Sequence, residues 1–321
     1  MKIMVLTEGG EKTGFGHISR CSALVHAAMD IDGATDAEFI VNGDERARRF
    51  LDRQGITGGA LLDWNRERRN VVNAAKQKDM VIIDSYIADE FLYGSISDVT
   101  HGRMLMIDDY NRIKYPEGLV INPSICGSGK EYIILRREFW AVPDKKIKDG
   151  ITDVLITFGG KGRELFMEKT LDALAGKYPR YNYHVVSPDG GRGPGGGCGG
   201  KIMFYGDIPA SGMLDLMLMC DICVSGGGQT LYELARCGVP SIGICFAENQ
   251  MGNISSLKKA GFLEWAGSHE KKDVFTKMRG CIEKLGPADI RRERYLTGKS
   301  IVDGKGAKRV IESFMKSKAG S

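Results

Sequence analysis

The arrangement that most constrains the fold of this chain is a strand, a glycine-containing turn and a helix, which recur in the same order at the start of each half. The predicted ranges are strand 3–7, turn 9–16 and helix 17–29 in the first half, and strand 153–158, turn 159–160 and helix 164–174 in the second. Short apolar runs that alternate with amphipathic stretches indicate βα units around a parallel sheet. We therefore predict an α/β fold of two facing, doubly wound Rossmann-like domains.

The length and one polar stretch indicate where the domains divide. The chain has 321 residues, and single cores usually stop growing at about 250 residues. Residues 142–150 are polar and charged and are predicted to be an interdomain linker. We therefore predict an N-terminal Rossmann-like domain at 1–142, a C-terminal one at 151–300, and a helix at 301–321 that packs back on the first domain. Ligands of such sheets bind at the carboxyl ends of the strands, so both sheets would offer loops to one cleft.

The same alternation predicts the remaining elements. Further strands are expected at 38–41, 80–84, 104–107, 119–121, 183–186, 201–205, 222–224 and 241–244. Further helices are expected at 45–54, 66–77, 89–97, 209–219, 229–237 and 307–315. The glycine-rich stretch 189–200 lacks a phosphate-binding lysine and is predicted to be a mobile surface loop.

Composition excludes several classes of protein. An apolar content of 42% suits a globular chain, and the net charge of +4 is spread over interleaved residues. The basic stretches 66–69 and 291–294 are therefore predicted to be solvated helix faces rather than nucleic-acid contacts. Eight scattered cysteines suit free thiols, and Cys220-Asp221-Ile222-Cys223 lacks the second ligand pair that zinc needs. With no targeting or membrane-spanning segment, we expect a cytoplasmic protein that neither binds nucleic acid nor inserts stably in membranes.

A histidine stands where the first strand gives way to a helix. Gly14 and Gly16 flank this turn and would let a ligand approach the backbone, and Arg20 lies one turn further on. The dinucleotide-binding pattern GxGxxG is not completed, because Ser19 replaces its third glycine. The positive end of the helix dipole disfavours the imidazolium form of His17, so a neutral general base is one interpretation. A helix cap or a phosphate contact without chemistry is the other.

A second candidate site opens a helix in the other half of the chain. Gly226-Gly227-Gly228 follow a strand and precede Gln229, and their N–H groups at a helix start suit a diphosphate. The hydroxyls of Ser225 and Thr230 would assist, and Glu233, one turn after Thr230, could bind two ribose hydroxyls. A tight turn followed by a charged helix face is the alternative.

Three further strand ends carry polar residues. Glu248-Asn249-Gln250 follow one strand of the second half, and Gly159-Gly160 form a weaker second loop there. Asp84-Ser85-Tyr86 and Asp108-Asp109 end two strands of the first half. Paired acids at such positions can hold a metal, but they commonly cap the next element, and the second interpretation is favoured. No metal site is predicted.

These blocks together resemble one family, the UDP-2,4-diacetamido-2,4,6-trideoxy-β-L-altropyranose hydrolases of pseudaminic acid synthesis and their spore-coat polysaccharide relatives. The resemblance spans nearly the whole chain and includes similarity to MurG-type glycosyltransferases, which have the GT-B fold of two Rossmann-like domains. The matching blocks are 14–17 with 20–21, 83–86, 107–109, 122–123, 135–139, 156–160, 225–234, 248–250 and 303–307. The glycine-rich stretch 190–200 has no counterpart in that pattern.

The resemblance implies the reaction and the site residues. It implies that water cleaves a UDP-linked amino sugar at the anomeric carbon with inversion, without a cofactor or a required metal. The catalytic domain would be the first and the UDP-binding domain the second. The implied catalytic residues are His17 as base and Tyr86 to orient sugar or water. The implied substrate-binding residues are Gly14, Gly16, Arg20, Gly159, Gly160, Ser225, Gly226, Gly227, Gly228, Gln229, Thr230, Glu233, Glu248, Asn249 and Gln250.

Two other functions remain open at this point. An inverting glycosyltransferase on the same fold would use His17 to deprotonate an acceptor hydroxyl instead of water. The lack of an amphipathic membrane stretch favours the hydrolase over a transferase that acts on lipid-linked acceptors. A non-catalytic protein that binds nucleotide sugars would need residues 225–233 but not His17, and the presence of both argues against it.

Overall fold

The computed structural model describes residues 1–11, 13–56, 59–159, 162–187 and 200–319. Gly160 and most of the glycine-rich stretch 189–200 lie outside these described ranges, and their predicted roles stay predictions. By internal contacts the chain divides into two compact units. The first unit is Met1–Arg137 with Gly304–Ser321, and the second is Glu138–Asp303.

Strands and helices alternate through the described residues. The strands are β1 (Lys2–Gly9), β2 (Asp36–Gly43), β3 (Ala60–Leu61), β4 (Met80–Asp84), β5 (Met104–Ile107), β6 (Leu119–Ile121), β7 (Asp153–Thr157), β8 (Asn182–Val186), β9 (Ile202–Tyr205), β10 (Ile222–Gly226), β11 (Ser241–Cys245) and β12 (Leu263–Ser268). The helices are α1 (Gly16–Ile31), α2 (Glu45–Arg53), α3 (Arg68–Ala75), α4 (Glu90–Thr100), α5 (Glu164–Ala175), α6 (Ala210–Met219), α7 (Thr230–Cys237), α8 (Met251–Lys259), α9 (Val274–Lys284), α10 (Ala288–Ile301) and α11 (Gly306–Ala319).

The sheet of the first unit is parallel and has the strand order β3-β2-β1-β4-β5-β6 in the described residues. β1 is central and buried from its second residue to its last, as expected for a parallel strand covered on both faces. Thr7 pairs with Asp84 and Asp84 with Ile107, so β1, β4 and β5 end at the same edge. The chain leaves β1 for β2 on one side and returns to β4 on the other. This reversal marks where such sheets bind ligands.

The last helix belongs to the first unit. α11 packs against α1 and against the short 3₁₀ turn Lys130–Tyr132. The Nη1 of Arg309 donates to the carbonyl of Glu131 at 3.2 Å, and a side chain at Gly306 would collide with the backbone of Ile133. The close approach of the backbones therefore requires a glycine where the helix begins.

The sheet of the second unit has the same kind of order, β12-β11-β10-β7-β8-β9, and is parallel over its described strands. β10 lies in the middle and is buried along its whole length. Its residue Ser225 pairs with Thr157 of β7 and Gly243 of β11, so the three strands end near one another. Both units are thus Rossmann-like, which confirms the predicted α/β fold class.

Two predictions about charged segments are wrong. Arg291 was expected on a solvated helix face, but it is 1% exposed and donates to the carbonyls of Leu285, Lys148 and Asp149. Residues 142–150 were expected to be a free linker. Instead they belong to the second unit, where the Nζ of Lys145 donates to the carbonyl of Met217 at 3.1 Å. Long cationic side chains can donate to the carbonyl groups that lack a partner at helix ends. The number of charges in a segment does not reveal whether they do so.

Candidate active site

His17 and Asp84 form a buried pair at the carboxyl edge of the first sheet. His17 lies in the first turn of α1, just after β1, and Asp84 is the last residue of the adjacent strand β4. The Nδ1 of His17 is 2.6 Å from the Oδ1 of Asp84. Asp84 is 0% exposed and His17 only 8%. Adjacent strands therefore bring together two residues that are 67 positions apart.

Arg20 ties this pair to a second carboxylate. Its Nε and Nη2 each donate to Asp84 at 2.8 Å, and its Nη1 donates to both carboxylate oxygens of Asp109 at 2.8 Å. Burial alone would raise the pKa of Asp84, but Arg20 and His17 outweigh it and hold that pKa below its usual range. Arg20 was predicted to bind substrate, and that role stays a prediction. Its guanidinium bonds to Asp84 and Asp109, and these bonds hold the Asp84 carboxylate in position.

The Asp84 carboxylate determines which nitrogen of His17 carries the proton. An ionised carboxylate only accepts hydrogen bonds, so the short contact requires the hydrogen on Nδ1. The Nη2 of Arg20 is 3.0 Å from the same Nδ1, but both atoms are donors, and both bond to the Oδ1 of Asp84. The Nε2 of a neutral His17 is then a hydrogen-bond acceptor. When Nε2 takes up a proton, the Asp84 charge stabilises the imidazolium.

Tyr86 is beside the histidine and partly exposed. Its ring meets the ring of His17 edge-on, with centroids 4.4 Å apart, and 38% of the residue is exposed. Its hydroxyl donates to the Oδ2 of Asp109 at 2.7 Å. Burial, together with the Asp109 carboxylate, raises the pKa of Tyr86 above its usual value, so the hydroxyl stays protonated. The structure thus places both predicted catalytic residues next to each other.

Gly14 and Gly16 border open space. A Cβ on either glycine would have no described atom within 4 Å, and Gly14 has a φ of +75° that favours glycine. Between them, Phe15 stacks on Phe50 with ring centroids 4.7 Å apart. The turn is therefore held by Phe15, while its two glycines leave room for a ligand.

The three glycines of the second unit have different surroundings. A Cβ on Gly226 would lie 2.7 Å from the carbonyl oxygen of Phe158, and one on Gly227 would lie 2.6 Å from the Cδ1 of Ile254. Packing therefore already requires these two glycines. A Cβ on Gly228 would meet no described atom within 4 Å. Gly228, at the start of α7, is the position of the three where a ligand explains the missing side chain.

Hydrogen bonds fix the glycine loop from behind. The Oε1 of Gln250 accepts from the backbone N of Gly227 at 3.3 Å and from the backbone N of Phe246 at 3.0 Å. The Nδ2 of Asn253 donates to the carbonyl of Gly227 at 3.3 Å. Both the backbone N–H and the carbonyl of Gly227 therefore bond to protein side chains. N–H groups for a phosphate would have to come from Gly228 onward, including Gln229 and Thr230 at the helix start.

Not every predicted ligand contact in this unit faces outward. Ser225 is 1% exposed and its hydroxyl donates to the carbonyl of Gly226 at 3.0 Å. Glu233, on the first turn of α7, is 3% exposed. Glu248 and Asn249 lie exposed in a 3₁₀ turn. The predicted diphosphate and sugar contacts of these four residues remain predictions.

Arg163 is a cation beside the glycine loop that the sequence did not single out. It precedes α5, and its Nη1 donates to the carbonyl of Phe158 and, at 2.7 Å, to that of Gly159. Its guanidinium is 4.4 Å from the ring centroid of Phe246, and a Cβ on Gly226 would be 3.5 Å from its Nη1. Gly159 has a φ of +61°, a backbone conformation that favours glycine. Burial lowers the pKa of Arg163, but a guanidinium stays charged.

Three further features concern metal ligands, thiols and membrane-spanning helices. No cluster of three or more histidine, cysteine, aspartate or glutamate residues suited to a metal ion occurs in the described part of the chain. Cys220 and Cys223 are both 0% exposed, and burial raises the pKa of Cys220 to about 12, so these thiols are protonated core residues as predicted. Among the residues in the described ranges, none of the helices is long and apolar enough to cross a membrane.

Two Rossmann-like units place the chain among proteins with the GT-B fold. Its structure is similar to that of MurG from Acinetobacter baumannii, with a TM-score of 0.63 and 14% identity over 98% of this chain and 100% of that one. It is also similar to the UDP-GlcNAc 2-epimerase of Neisseria meningitidis, solved with UDP-GlcNAc bound, with a TM-score of 0.61 and 13% identity over 98% of this chain and 100% of that one. At such identities the likeness concerns the fold.

The sequence is similar to proteins with more specific names. The Bacillus subtilis spore coat polysaccharide biosynthesis protein SpsG is 24% identical over 97% of this chain and 96% of its own length. A Helicobacter pylori protein named pseudaminic acid cytidylyltransferase and UDP-2,4-diacetamido-2,4,6-trideoxy-beta-L-altropyranose hydrolase is 22% identical over 82% of this chain. An uncharacterized protein of Methanocaldococcus jannaschii is 24% identical over 75% of this chain. The chain spans about half the length of the last two, 48% and 55%. No family model matches. These relatives confirm the predicted resemblance.

Proposed function

We propose that this chain is a UDP-sugar hydrolase that releases UDP and a free 2,4-diacetamido-2,4,6-trideoxyhexose. The free sugar would be used in the biosynthesis of pseudaminic acid or of a related surface polysaccharide. The observation that carries the proposal is the His17–Asp84 pair, in which Nδ1 is bound at 2.6 Å and Nε2 is left as an acceptor. The names of the Helicobacter and Bacillus relatives support nucleotide-sugar chemistry in polysaccharide biosynthesis. Of the two activities in the Helicobacter name, the hydrolase is the one whose sequence blocks this chain resembles.

In the proposed reaction, His17 acts on water and not on the sugar. Its Nε2 takes one proton as the water oxygen bonds to the anomeric carbon, and the bond from that carbon to the phosphate oxygen breaks with its electron pair leaving on UDP. Asp84 keeps the ring in the reactive tautomer and stabilises the imidazolium that forms. Attack from the face opposite the leaving group inverts the anomeric carbon. Tyr86 supplies a protonated hydroxyl beside the base that can orient the sugar or the water.

The departing UDP needs stabilisation of its negative charge. We assign this to the N–H groups at the start of α7, from Gly228 onward, and to the guanidinium of Arg163 next to the same loop. Glu233 is assigned to the ribose hydroxyls. UDP is a good leaving group, so a strong general acid is needed less than in ordinary glycoside hydrolysis.

Product analysis tests the proposal. The purified protein is incubated with UDP-sugars that include 2,4-diacetamido-trideoxyhexoses, in EDTA and without an acceptor. Equal amounts of UDP and free sugar, with the inverted anomer formed first, are expected. UDP formation only after an acceptor hydroxyl is added would show a glycosyltransferase. Binding without turnover in either case would show a nucleotide-sugar-binding protein.

A further inference from the structure

Glu8 is a buried carboxylate that faces the reactive nitrogen of His17. It is near the end of β1, 2% exposed, and its Oε1 lies 3.9 Å from the Nε2 of His17. Two bonds from the β4–α4 connection hold it in place. The Oε1 accepts from the backbone N of Tyr86 at 2.7 Å, and the Oε2 accepts from the hydroxyl of Ser85 at 3.2 Å.

Two acceptors at this separation need a donor between them. With the hydrogen of His17 held on Nδ1 by Asp84, the Nε2 lone pair and the Oε1 of Glu8 face each other, and 3.9 Å is too long for a direct hydrogen bond. A water molecule about 2.8 Å from both atoms would see them at an angle of about 90°. That is close to the angle between the two O–H bonds of water, so one molecule can donate to both.

We infer that Glu8 and His17 hold the attacking water together, and that Glu8 selects water over an alcohol as nucleophile. The inference rests on the proposed hydrolase function. One water hydrogen points to Nε2 and is transferred to it as the oxygen bonds to the anomeric carbon, while the electron pair of the broken bond leaves with UDP. The other hydrogen points to Glu8 and remains on the hydroxyl of the released sugar. The oxygen lone pair then faces away from both residues.

An alcohol cannot fill this position equally well. It has a single hydroxyl hydrogen, so it can serve His17 or Glu8 but not both. Its carbon would also have to replace the second hydrogen against the Glu8 carboxylate. The side chains of His17 and Glu8 are 9% and 3% exposed, so that carbon would lie against a charge that is almost entirely shielded from solvent. Leaving a buried charge without a hydrogen bond costs more free energy than leaving a buried neutral acceptor without one.

Glu8→Gln tests this inference with a side chain of the same size. The amide oxygen can still accept from the backbone N of Tyr86, and the Oγ of Ser85 keeps the bonds it accepts from the backbone N of Ile87 and of Ala88, so the fold should persist. The products are compared in water and in dilute methanol, as free sugar against methyl glycoside. The matched control is Glu264→Gln, which removes a buried carboxylate of the second unit, 9% exposed and paired with Arg294.

We expect the parent to give free sugar with almost no methyl glycoside. Glu8→Gln should hydrolyse about tenfold more slowly at similar KM, the loss expected when a charge-assisted hydrogen bond becomes a neutral one, and its ratio of methyl glycoside to free sugar should rise by a similar factor. Glu264→Gln should keep the parental ratio. An unchanged rate and ratio in Glu8→Gln would refute the role of Glu8 while leaving the hydrolase intact. A faster Glu8→Gln would mean that Glu8 holds a protonated His17, which also refutes it. Glycoside without hydrolysis in the parent would refute both proposals.

Discussion

Asp84→Asn removes the charge that orients His17 and leaves a side chain of nearly the same size. In the parent, the Oδ1 of Asp84 accepts from His17 and from the Nη2 of Arg20, while its Oδ2 accepts from the Nε of Arg20. All three partners are donors. An asparagine has one oxygen and one NH₂, so whichever way it turns, the NH₂ faces a donor.

The expected losses follow from these contacts. Removing one partner of a buried ion pair usually costs about 3–5 kcal/mol. Arg20 keeps its two bonds to Asp109, so we expect the lower end, about 3 kcal/mol, which most domains tolerate. For catalysis, either orientation of the amide weakens the base: an NH₂ facing Nδ1 moves the hydrogen to Nε2, and an amide oxygen facing Nδ1 lacks the charge that stabilises the imidazolium. Comparable losses of a carboxylate behind a catalytic histidine reduce kcat by about 10³–10⁴-fold.

The assay measures kcat and KM for UDP-sugar hydrolysis below the unfolding temperature of each variant. The matched control is Asp153→Asn, because Asp153 also pairs with a histidine, the Nε2 of His184 at 3.1 Å, but at the start of β7 in the second unit. Both substitutions should lower the unfolding temperature, and only Asp84→Asn should lose kcat at nearly constant KM. A folded Asp84→Asn protein with a kcat within a few-fold of the parent would refute the orienting role of Asp84.

The pH dependence of stability provides a second check. The pKa of Asp84 is depressed in the folded protein, so its contribution is fully present above the unfolded-state value of about 4 and is lost as the pH falls through the folded value. The difference in unfolding free energy between the parent and Asp84→Asn should therefore be constant near neutrality and shrink below about pH 4. A difference that grows in acid would contradict the assigned ion pairing.

Three other substitutions have definite expected outcomes. His17→Ala should lower turnover about 100-fold or more and leave UDP affinity within a few-fold, as measured by calorimetry, and near-normal turnover would exclude His17 as base. Gly228→Val should abolish UDP binding, because the valine would occupy the space assigned to the diphosphate. Its unfolding temperature should stay parental, because a Cβ there meets no described atom, whereas Gly227→Val would also disrupt packing on Ile254. Retained UDP binding in Gly228→Val would place the diphosphate elsewhere. Burial lowers the pKa of Lys145 to about 8 in the folded protein. Between pH 8 and about 10.5 the unfolded chain therefore binds more protons than the folded one. The parent should gain stability relative to Lys145→Met as the pH rises through this range. Thermal melts of both proteins at pH 7 and 9.5 test this gain, and an unchanged difference would mean that Lys145 is not desolvated.

Much of the fold was predictable because its strands are short apolar runs. The predicted strands 80–84, 104–107 and 119–121 have the bounds of β4, β5 and β6. The elements between β11 and α11 were missed. There α8 to α10 bury only a narrow stripe among charged residues, and β12 has the exposed Trp265 within it. The two-residue strand β3 is too short for any periodicity.

Only those candidate site residues that lie in a local sequence pattern could be predicted. A glycine turn and a helix start identified His17 and Gly228 without knowledge of the strand order. Asp84 and Glu8 were not assigned roles, because their relation to His17 requires β4 to lie beside β1. Strand alternation does not determine that order. The helix dipole was the only charge considered at His17, whereas the structure adds the nearer Asp84 carboxylate.

The charges of the two sites differ in a way that assigns the two ends of a nucleotide sugar. Among the described residues around His17 are the carboxylates of Glu8, Asp84 and Asp109, and the guanidinium of Arg20 pairs with the last two. Such a site repels a diphosphate but suits the positive charge that develops at an anomeric carbon when its leaving group departs. The glycine loop of the second unit combines a helix start with a cation beside it. These charges support the proposal that the sugar carbon binds at His17 and the phosphates at Gly228, and the open space beside Gly228 supports the second part of it independently.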